Sequence, residues 1–282
     1  MSDTALGHAR HVVTENPVTG FALALFILFV LAAIFGPSLV PYDPLASDTA
    51  NALQAPSGQH WFGTDQIGRD IFSRVVVATR LDLGIAAASV ALVFAFGGFA
   101  GLVSGFFGGW VDQVIGRVSD TIMAFPLFVL AMAIVAALGN TVPNIVLATG
   151  IINFPLYVRV ARAETVQRRE AGFVDAARIA GHRDMGVLLG QVAPNIMPIM
   201  VVQMSLTMGY AILNAAGLSF IGLGVRAPTP EWGIMVAEGA SFIVSGEWWV
   251  ALFPGAMLMT AVFCFNLLGD GLRDIVDPRR RT

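Results

Sequence analysis

The sequence predicts an all-α integral membrane protein with six transmembrane helices. Of its 282 residues, 56% are hydrophobic and 12% are charged, and the mean hydropathy is +0.74. These values lie outside the range of ordinary soluble domains. Six long apolar runs account for these values. The loops between the runs hold most of the charged residues. The net charge of -3 and the lack of a single basic face exclude a nucleic-acid partner.

The first span is predicted at residues 21–40, which carry no charge. At 1.5 Å per residue this run is long enough to cross a hydrocarbon core of roughly 30 Å. Its length and the lack of a small-residue cleavage site favour a retained span over a removed signal peptide. With the polar residues that follow, it forms a predicted N-terminal unit, 1–80, whose loop is extracytoplasmic.

The end of that loop carries apolar residues at every third or fourth position. They are Ile67, Ile71, Val75 and Ala78. This spacing predicts a short helix that either lies along the membrane surface or packs on its neighbours.

The second span is predicted at residues 83–107 and is marked by glycines at intervals of four. They are Gly97, Gly101, Gly105 and, just beyond the span, Gly109. The interval puts them near one helix face, where a neighbouring helix can approach closely. The pattern favours helix packing over a glycine-lined conduit.

The third and fourth spans are predicted at residues 122–138 and 142–158. Each contains a proline, Pro126 and Pro155. Prolines within a membrane free backbone carbonyls, so they mark kinks that face protein rather than lipid.

The fifth apolar run, 196–225, is longer than a straight crossing needs. We therefore expect it to cross and then continue as a second short helix on the far side. The sixth span, 250–268, follows Trp248 and Trp249, which stand where an aromatic belt is expected.

The distribution of arginines predicts the orientation. Six spans put both termini on one side, together with segment 159–195. Twelve of the 16 arginines fall on that side: Arg10, Arg117, Arg159, Arg162, Arg168, Arg169, Arg178, Arg183, Arg273, Arg279, Arg280 and Arg281. The positive-inside rule makes this side cytoplasmic. Arg74 and Arg80, beside the second span, run against the rule.

Catalysis by this chain is not expected. It contains no lysine, which both a Walker-type phosphate loop and a Schiff-base enzyme require. The four histidines lack metalloprotease spacing, and the single cysteine, Cys264, excludes a disulfide or a cysteine metal cluster within the chain. No catalytic residue and no metal ligand is therefore assigned.

The middles of the predicted spans hold no ionisable side chain, which argues against a proton-coupled or ion-coupled carrier. The neutral polar residues there are candidates for lining a pathway, and an interhelical hydrogen bond is their alternative role. These candidates are Asn153, Gln203, Asn214 and Ser219.

Energy must then come from a partner, and segment 159–195 offers a docking surface for a soluble motor. Seven of its residues combine apolar contact, charge pairing, close approach and a turn. They are Phe173, Val174, Asp175, Ala176, Ala177, Arg178 and Gly181. The alternative is an ordinary solvated helix.

The sequence resembles the ABC-importer permeases, and within them the C-type permease subunit of the dipeptide, oligopeptide and nickel importers. Asp175, Ala176, Ala177 and Gly181 match the family's Glu-Ala-Ala-x-x-x-Gly motif, with aspartate in place of the usual glutamate. Ala193 stands where leucine is usual. Further matches follow in the same order along the chain, at residues 62–65, 68–70, 73–74, 218–224, 228–233, 265–274 and 277–279.

This resemblance implies a type I ABC importer transmembrane domain at 81–272, a cytoplasmic coupling loop at 159–195 and a cytoplasmic tail at 273–282. It also implies a bacterial inner-membrane location. The implied partners are a second homologous permease, two cytoplasmic ATPases that bind ATP and Mg, and an extracytoplasmic substrate-binding protein. The implied cargo is a di- or oligopeptide, with nickel or a nickel chelate as the alternative. A passive channel is the alternative from another class.

Overall fold

The computed structural model describes residues 17–276. Predictions for 1–16 and 277–282, including the outermost arginines and the match at 277–279, lie outside the described residues. The described part is helical apart from turns, loops and one isolated bridge between Thr64 and Asp70. Its α-helices are α1 Pro17–Leu39, α2 Ile71–Phe107, α3 Gly109–Met123, α4 Leu127–Leu138, α5 Val142–Arg168, α6 Gly172–Ile179, α7 Asp184–Val187, α8 Ala193–Phe220, α9 Trp232–Ala240 and α10 Trp249–Val276.

Five long helices in the described residues are apolar enough to cross a membrane: α1, α2, α5, α10 and the continuous stretch Asp184–Phe220. A sixth crossing exists if α3 and α4, whose axes meet at 88°, are counted as one bent span. The chain is therefore a multi-pass membrane protein.

The third predicted span, 122–138, is wrong as one straight helix. Only α4 is continuously apolar, and its 12 residues reach about 18 Å, short of a hydrocarbon core of about 30 Å. The chain turns between Met123 and Leu127 because Pro126 has no backbone N–H to continue the ladder. Before the turn, α3 is amphipathic and carries Asp112 and Asp120.

The second span begins 12 residues earlier than predicted, because α2 runs unbroken from Ile71 over 37 residues. Asp70 caps its first turn, accepting a hydrogen bond from the Ser73 backbone N–H at 2.8 Å. The expected short helix is therefore the start of α2, with Ile71, Val75 and Ala78 buried in the core. Packing on neighbours, rather than lying on the membrane surface, explains the apolar spacing.

The glycine spacing in α2 does mark a helix contact, as predicted. A Cβ on Gly101 would lie 2.4 Å from the Val158 carbonyl oxygen, and one on Gly105 would lie 2.7 Å from the Arg162 carbonyl oxygen. Both carbonyls belong to α5, so the two helices touch backbone to backbone. Gly109 is not part of this face, because α2 ends at Phe107 and Gly109 opens α3 with a φ of +56°.

Gly101→Ala is expected to destabilise the protein by about 1–3 kcal/mol, since the added methyl overlaps the backbone of α5. Gly84→Ala is the matched control in the same helix, because nothing lies within 4 Å of a Cβ there. That control should be neutral or stabilising by up to about 1 kcal/mol, the helix preference of alanine over glycine. Thermal unfolding in one detergent compares the two, and equal melting temperatures would contradict the close helix contact.

The fifth apolar run is a single helix, α8, and does not contain the expected second helix. The chain turns at Gly222, with a φ of +82°, and the next helix, α9, begins only at Trp232. At its other end α8 continues backwards through a π-helical turn, Leu188–Val192, into α7. This turn comes just before Pro194, which cannot donate a backbone hydrogen bond. Residues 159–168 and 184–195 of the predicted loop are therefore largely helical.

The helix directions define two ends of the bundle. The α6 face carries residues 169–183, and the opposite face carries the loops 40–70 and 221–248. The first and last described helices approach each other near the α6 face, where a Cβ on Gly271 would lie 2.6 Å from Thr19 Cγ2.

Arg80, which runs against the positive-inside count, has a structural partner on α1. Its Nε donates to the Ala33 carbonyl at 2.8 Å and its Nη2 to the Ile34 carbonyl at 3.0 Å. Pro37 lies four residues after Ala33 and cannot donate to that carbonyl. Arg80 therefore satisfies a backbone group that proline leaves open within an apolar helix.

Candidate coupling site and pathway residues

The short helix α6 is held on the ends of the long helices by one face. Val174 and Ala177 are buried in a cluster with Phe106 at the end of α2 and Ala161 of α5. The Arg178 guanidinium lies 5.6 Å from the centre of the Phe106 ring, within cation–π range. The position of α6 is thus tied to the ends of two long helices.

The outer face of α6 presents an exposed aliphatic side chain. Ile179 is 88% exposed. At about 100° per residue, it points roughly opposite to the midpoint between Val174 and Ala177. Asp175 and Ala176 flank it and are also exposed. A helix packed by one face, with an isoleucine on the other, offers a surface for a further protein.

A glycine turn ends α6, as the sequence predicts. Gly181 has a φ of +87°, which favours glycine. The Gly181 N–H donates to the Arg178 carbonyl at 2.9 Å, and the His182 N–H donates to the Ala177 carbonyl at 3.1 Å. These two bonds form a Schellman motif, which satisfies the last carbonyls of the helix.

The charged residues of the predicted motif form ion pairs with each other and with a third residue of the same chain. Arg178 lies 3.8 Å from Asp175 and 3.7 Å from Asp184. All three side chains are about half exposed, so each pair contributes little stability and stays accessible to a partner.

The seven predicted coupling residues therefore divide into two groups. Phe173, Asp175, Ala176, Arg178 and Gly181 are exposed. Val174 and Ala177 are buried against α2 and α5, which corrects the expectation that they contact a partner directly. Ile179 is not among the predicted residues, and its position three residues after Ala176 puts it on the same outer stripe of the helix.

Polar contacts hold α3 against the ends of α2 and α5 beside this site. The Asp112 carboxylate accepts two hydrogen bonds from Arg162, at 2.5 and 2.6 Å, and one from the Ser104 hydroxyl. Arg169 Nη1 donates to the Gly105 carbonyl at 3.2 Å. These contacts position the helix ends on which α6 lies.

Two of the predicted pathway residues share a stripe along α8. Gln203 and Asn214 are half-buried, and Thr207 and Tyr210 lie between them at spacings of three and four. The Gln203 side chain donates to the Thr207 hydroxyl at 3.2 Å. Tyr210 is 59% exposed. Amide and hydroxyl groups thus extend along about 16 Å of one helix face.

The other two pathway candidates have different surroundings. The Asn153 side chain donates to the Thr149 carbonyl of its own helix at 2.7 Å, so it does not use this amide for an interhelical bond. Ser219 is buried, and its Oγ accepts a hydrogen bond from the Val225 backbone N–H at 3.3 Å. It lies in the last turn of α8 and holds the loop that follows, so it is not part of the polar stripe.

Four charged side chains form a buried ion cluster on the opposite face. Arg69 Nε lies 2.6 Å from Asp65 Oδ2, and Arg69 Nη2 lies 3.2 Å from Glu238 Oε2. Arg74 lies 3.7 Å from Asp65 and 3.9 Å from Glu238. The cluster joins the loop before α2 to α9. Both arginines, Arg69 and Arg74, form their ion pairs within it.

The described residues form an all-helical membrane protein whose long apolar helices carry at one end a short helix, α6, with one buried and one exposed face. Residues 97–282 match the family described as binding-protein-dependent transport system inner membrane component, and residues 6–56 match the N-terminal transmembrane domain of oligopeptide transport permease C. The chain belongs to this permease family, whose members are transporter subunits and not enzymes.

Relatives match along nearly the whole chain. The dipeptide transport system permease protein of Alkalihalophilus pseudofirmus is 41% identical over 95% of this chain and 88% of its own length. The probable D,D-dipeptide transport system permease protein of Escherichia coli is 40% identical over 94% and 88%. The glutathione transport system permease protein of Pectobacterium atrosepticum is 38% identical over 93% and 87%.

Proposed function

We propose that the chain is the transmembrane permease subunit of an ATP-driven importer of di- or oligopeptides. It forms half of the translocation pathway, and a second homologous permease forms the other half. The observation that carries this proposal is the geometry of α6, which buries Val174 and Ala177 on the spans and exposes Ile179 outward.

The outer face of α6 is the proposed contact with two ATPase subunits. Those subunits bind the ATP and Mg, and this chain holds no cofactor. When ATP binding draws the ATPases together, α6 moves with them and shifts the ends of α2 and α5 through Phe106 and Ala161. The spans then exchange between inward-open and outward-open arrangements. The α6 face and both termini are cytoplasmic in this proposal, the location is the bacterial inner membrane, and a binding protein delivers cargo to the opposite face.

A peptide cargo is supported by the relatives and by the polar stripe on α8. The three relatives are named for a dipeptide, a D,D-dipeptide and glutathione, and all three ligands contain amide bonds. Gln203, Tyr210 and Asn214 offer hydrogen-bond donors and acceptors without a fixed charge. Such a surface suits a ligand that carries its own backbone amides and balanced charges.

Ile179→Arg tests the coupling proposal, with Val244→Arg as the matched control. Val244 is 95% exposed and lies in the loop 221–248, on the opposite face. Neither substitution disturbs a buried contact, so both variants should insert normally. The tagged chain is purified from its native membrane, and the ATPase subunits and ATPase activity are measured.

We expect wild type and Val244→Arg to retain the ATPases. Ile179→Arg should bind at least about tenfold less ATPase, because placing a charge against an apolar contact costs more than about 1.4 kcal/mol. Retention of the ATPases by Ile179→Arg would contradict the docking face. If the wild type purifies alone and without ATPase activity, the passive channel replaces the importer.

Uptake assays distinguish a peptide cargo from a nickel cargo. Cells that carry the wild-type importer should take up a radiolabelled dipeptide, and unlabelled dipeptide should compete for this uptake. Uptake of radioactive nickel at wild-type level without any dipeptide uptake would transfer the proposal to the nickel alternative.

A further inference from the structure

Two buried carboxyl groups meet on the opposite face, away from the ion cluster. Asp82 of α2 is 3% exposed, and Glu231, in the loop before α9, is 1% exposed. They accept hydrogen bonds from successive backbone N–H groups at the start of α9: Asp82 from Trp232, and Glu231 from Gly233 and Ile234. Two negative charges side by side in a buried site are strongly disfavoured, so one of the two carboxyls holds a proton.

The surrounding hydrogen bonds show which group carries the negative charge. Glu231 caps α9, and its two oxygens accept from the backbone N–H groups of Gly233 at 2.9 Å and Ile234 at 2.8 Å. Both its oxygens are thus occupied as acceptors at a helix N-terminus, where a negative charge is stabilised. The proton therefore resides on Asp82, which accepts a single hydrogen bond, from the Trp232 backbone N–H at 3.1 Å.

No cation neutralises the pair within the described part of the chain. The closest arginines on the packed elements have other partners. Arg74 of α2 donates to the carbonyls of Pro44 and Pro228, and Arg226 contacts the Asn140 side chain. Glu238, at the far end of α9, pairs with Arg69, and α8 contributes only the neutral Ser219.

Burial raises the pKa of the Glu231 carboxyl, because removing a carboxylate from water penalises its charged form. A second negative charge in the same dry site would cost still more. The pair is therefore stable with one proton and unstable with none.

The residues around the pair join three segments. Trp232 is bound to α2 twice, through its backbone N–H to Asp82 and through its indole Nε1, which donates to the Val75 carbonyl at 3.0 Å. Ser219, at the end of α8, accepts a hydrogen bond from the Val225 backbone N–H at 3.3 Å, which joins α8 to the loop 221–231. Opening the carboxyl pair would therefore loosen the loop 221–231 and the start of α9 from α2.

We propose that Asp82 and Glu231 form a one-proton binding site that latches the loop 221–231 and α9 to α2, and that loss of this proton opens the latch. The proton latch makes the opposite face of the protein sensitive to alkaline pH. It does not depend on the identity of the cargo or on the ATPase partners.

The direction of the pH dependence follows from the proton that the folded pair holds. A group that binds its proton more tightly in the folded state stabilises that state at low pH, and this stability is lost as the pH rises through the folded pKa. Because the two groups share one proton, the loss is a property of the pair.

Asp82→Asn is the test substitution, because asparagine keeps the size and the acceptor oxygen of a protonated aspartate and cannot titrate. Asp82→Ala removes the acceptor of the Trp232 N–H. Glu231→Gln replaces one acceptor oxygen by an amide donor that faces the N–H groups of Gly233 and Ile234. Hydrogen exchange of the full chain, read by mass spectrometry, compares the peptides that cover 221–240. The peptides of α6 serve as the internal control, and every comparison is made between variants at one pH.

At neutral pH we expect wild type and Asp82→Asn to protect 221–240 equally, with Asp82→Ala and Glu231→Gln less protected. At alkaline pH the wild type should lose protection there at least about tenfold relative to Asp82→Asn, with no difference in α6. Two results would overturn the proposal. One is an equal alkaline loss in wild type and Asp82→Asn, and the other is an Asp82→Asn variant as unprotected as Asp82→Ala at neutral pH.

Discussion

Asp65→Asn is expected to destabilise the protein by about 3–5 kcal/mol, the usual cost of removing one partner from a buried ion pair. The Asp65 carboxylate lies between Arg69 and Arg74 and, with Glu238, balances both charges. Its other oxygen accepts hydrogen bonds from the backbone N–H groups of Ile67 and Arg69, both at 3.0 Å. Asparagine can keep one acceptor but removes the charge, so two arginines would share a single carboxylate that is partly exposed.

Asp43→Asn is the control for this substitution, because Asp43 lies in the same loop but is exposed and accepts one local bond from the Leu45 N–H. It should change stability by less than about 0.5 kcal/mol. The amount of folded protein in detergent extracts and its melting temperature report both effects. Similar melting temperatures for the two variants would show that the ion cluster contributes little to folding.

Gly233→Ala is expected to have a comparably large effect, about 3 kcal/mol, near the upper end for overpacking. A Cβ at this position would lie 2.3 Å from the Ala216 carbonyl oxygen and 2.6 Å from Ala216 Cα. Both atoms belong to the backbone of α8, which cannot avoid the added methyl by a rotamer change as a side chain can. The methyl would push the first turn of α9 away from α8, and the caps made by Glu231 would be lost with it.

Gly255→Ala provides the matched control on the neighbouring helix. A Cβ on Gly255 faces α9 at an ordinary distance, 3.7 Å from Val236 Cγ2. We expect this variant to melt at or above the wild-type temperature, since alanine favours the helix. Thermal unfolding and peptide uptake are measured for both. A Gly233→Ala variant with wild-type stability and uptake would mean that the α8 and α9 backbones can separate without cost.

Local patterns predicted the features of the fold that depend on local chemistry. Uninterrupted apolar runs located α1, α5, α8 and α10, since crossing a membrane requires length and low polarity. The four-residue glycine interval predicted a close helix contact on α2, and the structure shows that α5 makes it. The glycine after α6 marked its turn, because few other residues adopt a positive φ.

The missed features depend on partners that are distant in the sequence. Arg74 and Asp82 resemble loop residues because their partners, Glu238 and the Trp232 backbone N–H, come about 150 residues later. The sequence therefore placed the start of α2 too late. The orientation of α6 was not predicted either, since the choice between Ala177 and Ile179 as the outward residue depends on which neighbours cover the helix.

The unbroken course of α2 has a mechanical consequence. Its 37 residues make a rod of about 55 Å, with Phe106 under α6 at one end and the Asp70 cap beside the ion cluster at the other. A tilt of about 10° would displace one end relative to the other by about 10 Å, by the geometry of a rod this long. A small rotation driven at α6 would thus be amplified at the other end of α2, and Asp82, a third of the way along from Ile71, would shift relative to Trp232.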